Sequence, residues 1–137
     1  TKFYLNAVGP QLSEEKMDAA ILSISEKHNI SVNEYMVAAI RNDEGEYIHQ
    51  WVLVTDNQPD SDTMAKNLDA ALKEANKNYE VARSKALKGL KVSFLSKKAY
   101  TDYLVQSKQK GGQVKTPKVM GEERMKKLLK SINLHPA

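Results

Sequence analysis

The sequence predicts an α+β domain: a ferredoxin-like β-α-β-β-α-β core with an antiparallel sheet, followed by two extra C-terminal helices. Three observations carry this prediction. Short apolar stretches alternate with longer segments whose apolar residues recur at helical spacing, in the order strand, helix, strand, strand, helix, strand. The two middle strands are joined by Asn42-Asp43-Glu44-Gly45, a hairpin turn in which Gly45 can take a positive φ. Past residue 95 the helical spacing returns, interrupted by Gly111-Gly112 and Pro117.

Each element has its own signal. Phe3–Val8 (FYLNAV) reads as a first strand, stopped by Gly9-Pro10. Ser13 is a natural N-cap, and Glu14 and Glu15 sit in the first turn, where the helix dipole favours anions. Met17, Ala20, Ile21, Ile24 and His28 then define an amphipathic helix over 14–28, with Asn29 as its stop. Glu34–Arg41 is a second strand and Glu46–Thr55 a third, the latter with β-branched and aromatic residues on both parities. Asp60 or Ser61 caps a second helix whose stripe runs through Met64, Leu68, Ala71, Leu72, Ala75 and Tyr79. Leu90, Val92 and Phe94 alternate with Lys91 and Ser93, as a half-buried fourth strand does. Tyr100, Tyr103 and Leu104 suggest a helix over about 97–107, and Met125, Leu128, Leu129 and Ile132 one beginning near Gly121. The organisation is therefore one domain, with a core at 1–95 and an extension at 96–137 that contains a lysine loop, 108–120. Tyr47 and Trp51 of the third strand are expected beneath the extension helices.

Composition narrows the function. With 41% hydrophobic residues the chain can build a core, and with no cysteine it has neither a disulfide framework nor a thiolate metal site. There is no leader and no apolar run near 18 residues, so the expectation is a soluble, cytoplasmic protein without a membrane partner, and Thr1 reads as a cut end. Charge is polarised. Residues 1–82 hold 7 Lys+Arg against 14 Asp+Glu (net −7), and residues 83–137 hold 14 against 3 (net +11), giving the overall +4. The basic third should attract an anion or an acidic protein face.

Most standard chemistry is missing. His28, His49 and His135 lack ligand spacing, so no metal site is expected. His49 beside Trp51 reads as packing on a sheet face. No nucleophile elbow and no phosphate-binding P-loop is present. Tyr47, His49 and Trp51 alternate on one strand, as base-stacking aromatics do in RNA-binding sheets. The glycine–aromatic signature of those sheets is absent, however, and the hairpin half is acidic, which argues against nucleic acid. That leaves KGGQVKTPKVM, residues 110–120, where Lys115 follows two glycines and precedes Pro117.

Here the chain resembles the C-terminal domain of the auxin-responsive "Gretchen Hagen" acyl acid–amido synthetases, in particular their bacterial branch. The residues that carry the likeness are Lys2-Phe3-Tyr4-Leu5-Asn6-Ala7, His49-Gln50-Trp51, Leu68 through Asn76, Asn78-Tyr79-Glu80, and Gly111-Gly112-Gln113-Val114-Lys115-Thr116-Pro117-Lys118. The resemblance implies an adenylate-forming enzyme using ATP and Mg²⁺. A carboxylic acid is first adenylated and then conjugated to an amino acid. It implies that the N-terminal adenylation domain, absent from this chain, is the partner that holds the substrates, and that no cofactor is bound by this domain alone. It assigns Lys115 as the catalytic lysine, Lys118 and Gln113 to nucleotide or phosphate binding, and Gly111 and Gly112 as the loop hinge. The family usually has Arg where this chain has Lys118, and Lys lacks the planar bidentate fork of Arg. The alternative is a non-enzymatic ferredoxin-like module that binds RNA or an anionic ligand through its basic third.

Overall fold

The computed structural model of the chain describes residues 12–109 and 118–134. The expected first strand, Phe3–Val8, and most of the lysine loop lie outside them. Eight elements follow in order: α1 (Glu14–His28), β1 (Glu34–Arg41), β2 (Tyr47–Val54), α2 (Ser61–Ala75), α3 (Lys77–Ser84), β3 (Leu87–Leu95), α4 (Lys97–Gln109) and α5 (Glu122–Leu134). The α+β architecture is as expected, and so is the element order from the first helix onward except for one additional helix, α3.

The local signals account for most boundaries. The Ser13 side chain accepts from the Lys16 N–H, capping α1. At the other end Asn29 adopts the left-handed conformation, φ 55°, and the Ile30 N–H returns to the Ser25 carbonyl at 3.0 Å. Asp60 caps α2 by accepting from the Thr63 N–H at 2.8 Å. Gly45 turns the hairpin with φ 78°. One boundary differs from the sequence reading. The stripe that reaches Tyr79 does not belong to a single helix, because Asn76 is extended (φ −149°) and ends α2. Its side chain then accepts from the Tyr79 N–H and starts α3. The break turns Tyr79 inward, where it is fully buried.

The sheet runs β1-β2-β3. β1 and β2 pair antiparallel, with Val37 opposite Trp51. β2 and β3 pair parallel, with Trp51 opposite Val92. The sheet is thus mixed, and the expected antiparallel order is corrected at this pair. The chain leaves β2, crosses through α2 and α3, and returns beside β2 in the same direction, as a β-α-β crossover requires.

Both faces are covered. On one face Met17 and Ile24 of α1, Leu68 and Leu72 of α2, and Tyr79 of α3 pack on Tyr35, Trp51 and Leu53. On the other, Met125 and Leu128 of α5 pack on Met36, Ile48 and Val52, with Tyr100 and Tyr103 of α4 at the margin. The middle strand is accordingly buried along nearly its whole length, which explains its apolar residues on both parities. Tyr47 and Trp51 are covered, but by α1–α3 and not by the extension, which occupies the opposite face. A groove of about 620 Å³ separates α4 from α5 beyond the end of β3, between Ala99, Tyr103, Leu128 and Ile132.

Candidate functional site

The lysine loop re-enters the described chain at Lys118, and residues 118–122 form a strap along the outer edge of β1. The Val37 N–H donates to the Lys118 carbonyl at 2.7 Å, and the Met120 N–H donates back to the Val37 carbonyl at 3.0 Å. Val119 stands opposite Val37 in a single parallel bridge. The strap is fixed at both ends by side chains. At the start of β1 the Lys118 ammonium lies 2.7 Å from Glu34 Oε1. At its end the Arg41 N–H donates to Glu122 Oε2 at 2.7 Å, while the Arg41 guanidinium stands 3.5 Å from the same carboxylate. Between them Met120 is buried against α5, and Val119 packs on the α1–α3 core.

Lys118 occupies a shallow cleft between α1 and β1, shared with Asp18, Ser25, Asn33, Glu34 and Tyr35. Its ammonium also sits 4.5 Å over the Tyr35 ring, a cation–π arrangement. The Tyr35 hydroxyl donates to Asp18 Oδ1. Burial and this carboxylate together push the Tyr35 hydroxyl far above its ordinary range, so it remains a neutral donor. Partial burial opposes the charge on Lys118, but the bonded Glu34, with Asp18 and Glu14 behind it, outweighs that and raises its pKa. The cleft therefore holds a cation among acids, arranged around one aromatic face.

Of the site residues expected from sequence, only Lys118 falls within the described chain. Lys115, Gln113, Gly111 and Gly112 lie outside it. Glu34, Tyr35 and Asp18 were not among the expected site residues. Their signal was weak: an acid at the head of an apolar strand, and an acid on the helix before it. Neither points to Lys118, which lies 84 residues beyond Glu34.

His49 is fully buried and its ring stacks 5.6 Å from Tyr79. Neither ring nitrogen, nor Trp51 Nε1, finds a hydrogen-bond partner among the described residues. Burial, with Arg83 nearby, pulls the His49 pKa down to about 3, so it is a neutral packing residue. Beside it Asp69 accepts from Arg83 Nε at 2.8 Å, from Arg83 Nη2 at 3.2 Å and from the Tyr79 hydroxyl at 2.6 Å. Arg83 also donates to the Leu87 carbonyl at 3.0 Å. This network ties α2, α3 and β3 together and is structural. Among the described residues no group of three or more acids, histidines or cysteines could hold a metal ion. No helix there is long and apolar enough to cross a membrane.

Comparison with known proteins places this geometry. The model of the GH3 family C-terminal domain matches residues 15–124, a span that contains all of α1 but its first residue, the whole sheet, the loop and the strap. No curated protein matches the chain. Among solved structures, a chain described as "GH3.15 acyl acid amido synthetase" is similar in fold, with a TM-score of 0.68 and 20% identity over 96% of this chain. The match covers only 26% of that synthetase, so the chain spans about a quarter of its length. With the family model extending over most of its length, the chain belongs to the GH3 family, as its C-terminal domain.

Proposed function

We propose that this domain is the lid of an ATP-dependent acyl acid–amido synthetase in the cytoplasm, and that it lends Lys115 to the adenylation step. The observation that carries the reading is the family match through residues 111–118, the segment in which Lys115 stands between a double glycine and Pro117. In adenylation a carboxylate oxygen attacks the α-phosphorus of ATP, the bond to pyrophosphate breaks, and an acyl-adenylate forms. An amino acid nitrogen then attacks the acyl carbon, releases AMP and loses a proton to give the amide. The first step brings two anions together. A positioned ammonium in a water-poor cleft stabilises that arrangement, and a closing lid supplies both the ammonium and the exclusion of water.

The partner is an N-terminal adenylation domain that holds ATP, the acid and the amine, and the net +11 of residues 83–137 favours docking on an anion-bearing surface. Mg²⁺ finds no ligand set among the described residues of this domain, so no step is assigned to it here. The RNA-binding alternative loses its stacking platform, because His49 and Trp51 are fully buried under α1–α3. In the full-length enzyme, Lys115→Ala should keep the fold and lower carboxylate-dependent ATP–pyrophosphate exchange by about 10²–10³. Unchanged exchange would remove the assignment.

A further inference from the structure

We infer that Lys118 is a positioning residue, which acts by latching the strap to Glu34 and so setting where the loop that carries Lys115 leaves β1. This inference rests on the lid reading above. Backbone bonds alone do not fix the strap. The two bonds at Val37 are made by main-chain groups that every residue has, so a strap shifted by two residues could make the same pair. What distinguishes one register from another is side chains: at the far end Glu122 bound to Arg41 and Met120 buried against α5, and at the loop end Lys118. The Lys118 ammonium meets Glu34 at 2.7 Å and the Tyr35 ring at 4.5 Å, and Tyr35 is itself held by Asp18. The pair is sheltered, with side-chain exposures of 29% and 22%.

The scale of a register error decides its importance. A shift of two residues moves a strand by about 6.6 Å. Lys115 is three residues from Lys118, and three residues span at most about 11 Å. The pin at Lys118 therefore bounds how far Lys115 can lie from the edge of β1. Catalytic groups tolerate misplacement of only about 1 Å before rates fall steeply. In this role Lys118 needs no contact with the nucleotide. Its ammonium is spent within the domain, on Glu34, so a latch at this position requires a cation that fits the Glu34–Tyr35 cleft and not a phosphate fork.

The test separates the latch from a direct phosphate contact and from the lid reading itself. In the chain as it stands, Glu34→Gln and Lys118→Met should each speed amide exchange at Val37 and Met120 about tenfold, with Val52 in the middle strand unchanged. In the full-length enzyme both should lower kcat for pyrophosphate exchange about tenfold with KM for ATP unchanged, and Lys118→Arg should restore most of the rate. The exchanged pair, Glu34→Lys with Lys118→Glu, should recover more activity than either half alone. If Lys118→Met raises KM for ATP while Glu34→Gln does nothing, Lys118 is a phosphate ligand and the latch is wrong. If amide exchange is unaffected in both variants, the latch is wrong whatever the kinetics. If Lys115→Ala leaves pyrophosphate exchange intact while the Val37 and Met120 amides still respond, the strap is held as described but positions no catalytic lysine, which overturns the inference along with the lid reading.

Discussion

The two faces of the sheet are built differently. The face under α1–α3 is closed by large, fully buried side chains, among them Trp51, Leu68, Leu72 and Tyr79, and its margin is pinned by the Asp69–Arg83–Tyr79 network. The face under α5 rests on Met36, Met120, Met125 and Leu128, and next to it the groove between α4 and α5 remains open. Methionine fills irregular space without fixing a unique geometry, and three of the chain's five, Met36, Met120 and Met125, lie on this smaller face, against Met17 and Met64 on the other. The first face is therefore a rigid platform. The second is a softer seam along which the extension, with its strap and lysine loop, is attached. The lid role proposed above would draw on both: a body that moves as a unit and an appendage that can adjust to a second domain.

Truncation tests this contrast most strongly. Trp51→Ala should cost about 4 kcal/mol, because it empties a fully enclosed site next to Tyr35, whose ring lies 5.5 Å away. Leu128→Ala on the other face should cost about 2 kcal/mol, since the neighbouring groove lets the site relax. Chemical denaturation of both variants would show it, and equal losses would break the comparison. The next effect is one of pH. His49 titrates near 3 when folded and at 6.5 when not. The unfolded chain thus takes up a proton as pH falls through 6.5 while the folded chain does not, and stability falls from there down to about 3. The slope is about 1.4 kcal/mol per pH unit. Unfolding free energy should drop by about 3 kcal/mol between pH 7 and 4.5, and His49→Phe should flatten that drop without lowering stability at pH 7. Smallest is the margin network: Asp69→Asn should cost about 2 kcal/mol, by leaving Arg83 without its carboxylate, as a denaturation midpoint would report.

The same contrast marks what could be read from sequence. Caps and turns were legible because their chemistry is local: Ser13, Asn29, Gly45 and Asp60 each act within a few residues of themselves. Apolar residues on both parities of the middle strand carried the two-sided burial. The break at Asn76 was not legible, because helical spacing continues unaltered through Tyr79 and no glycine or proline interrupts it. The parallel pairing of β2 with β3 was not legible either, since adjacency in a sheet is decided by which strand the crossover lands beside. The face that takes the extension was misread for a related reason: both parities of β2 are apolar, so neither declares which helices will cover it. At the site, sequence pointed to a loop and its lysines. The cleft that receives Lys118 joins α1, β1 and a segment far downstream, and only the folded chain brings them together.

The strap has one more consequence, for how this protein behaves in a crowded solution. β1 reads EYMVAAIR and is buried from Tyr35 through Ile40, so both of its faces are apolar. A strand of that composition with a bare edge is a template for edge-to-edge pairing with another copy. Residues 118–120 occupy that edge at Val37, and Lys118 and Glu122 place charges at its two ends. The segment that delivers the loop thus also guards against self-association, and variants that free it should self-associate more readily as protein concentration rises.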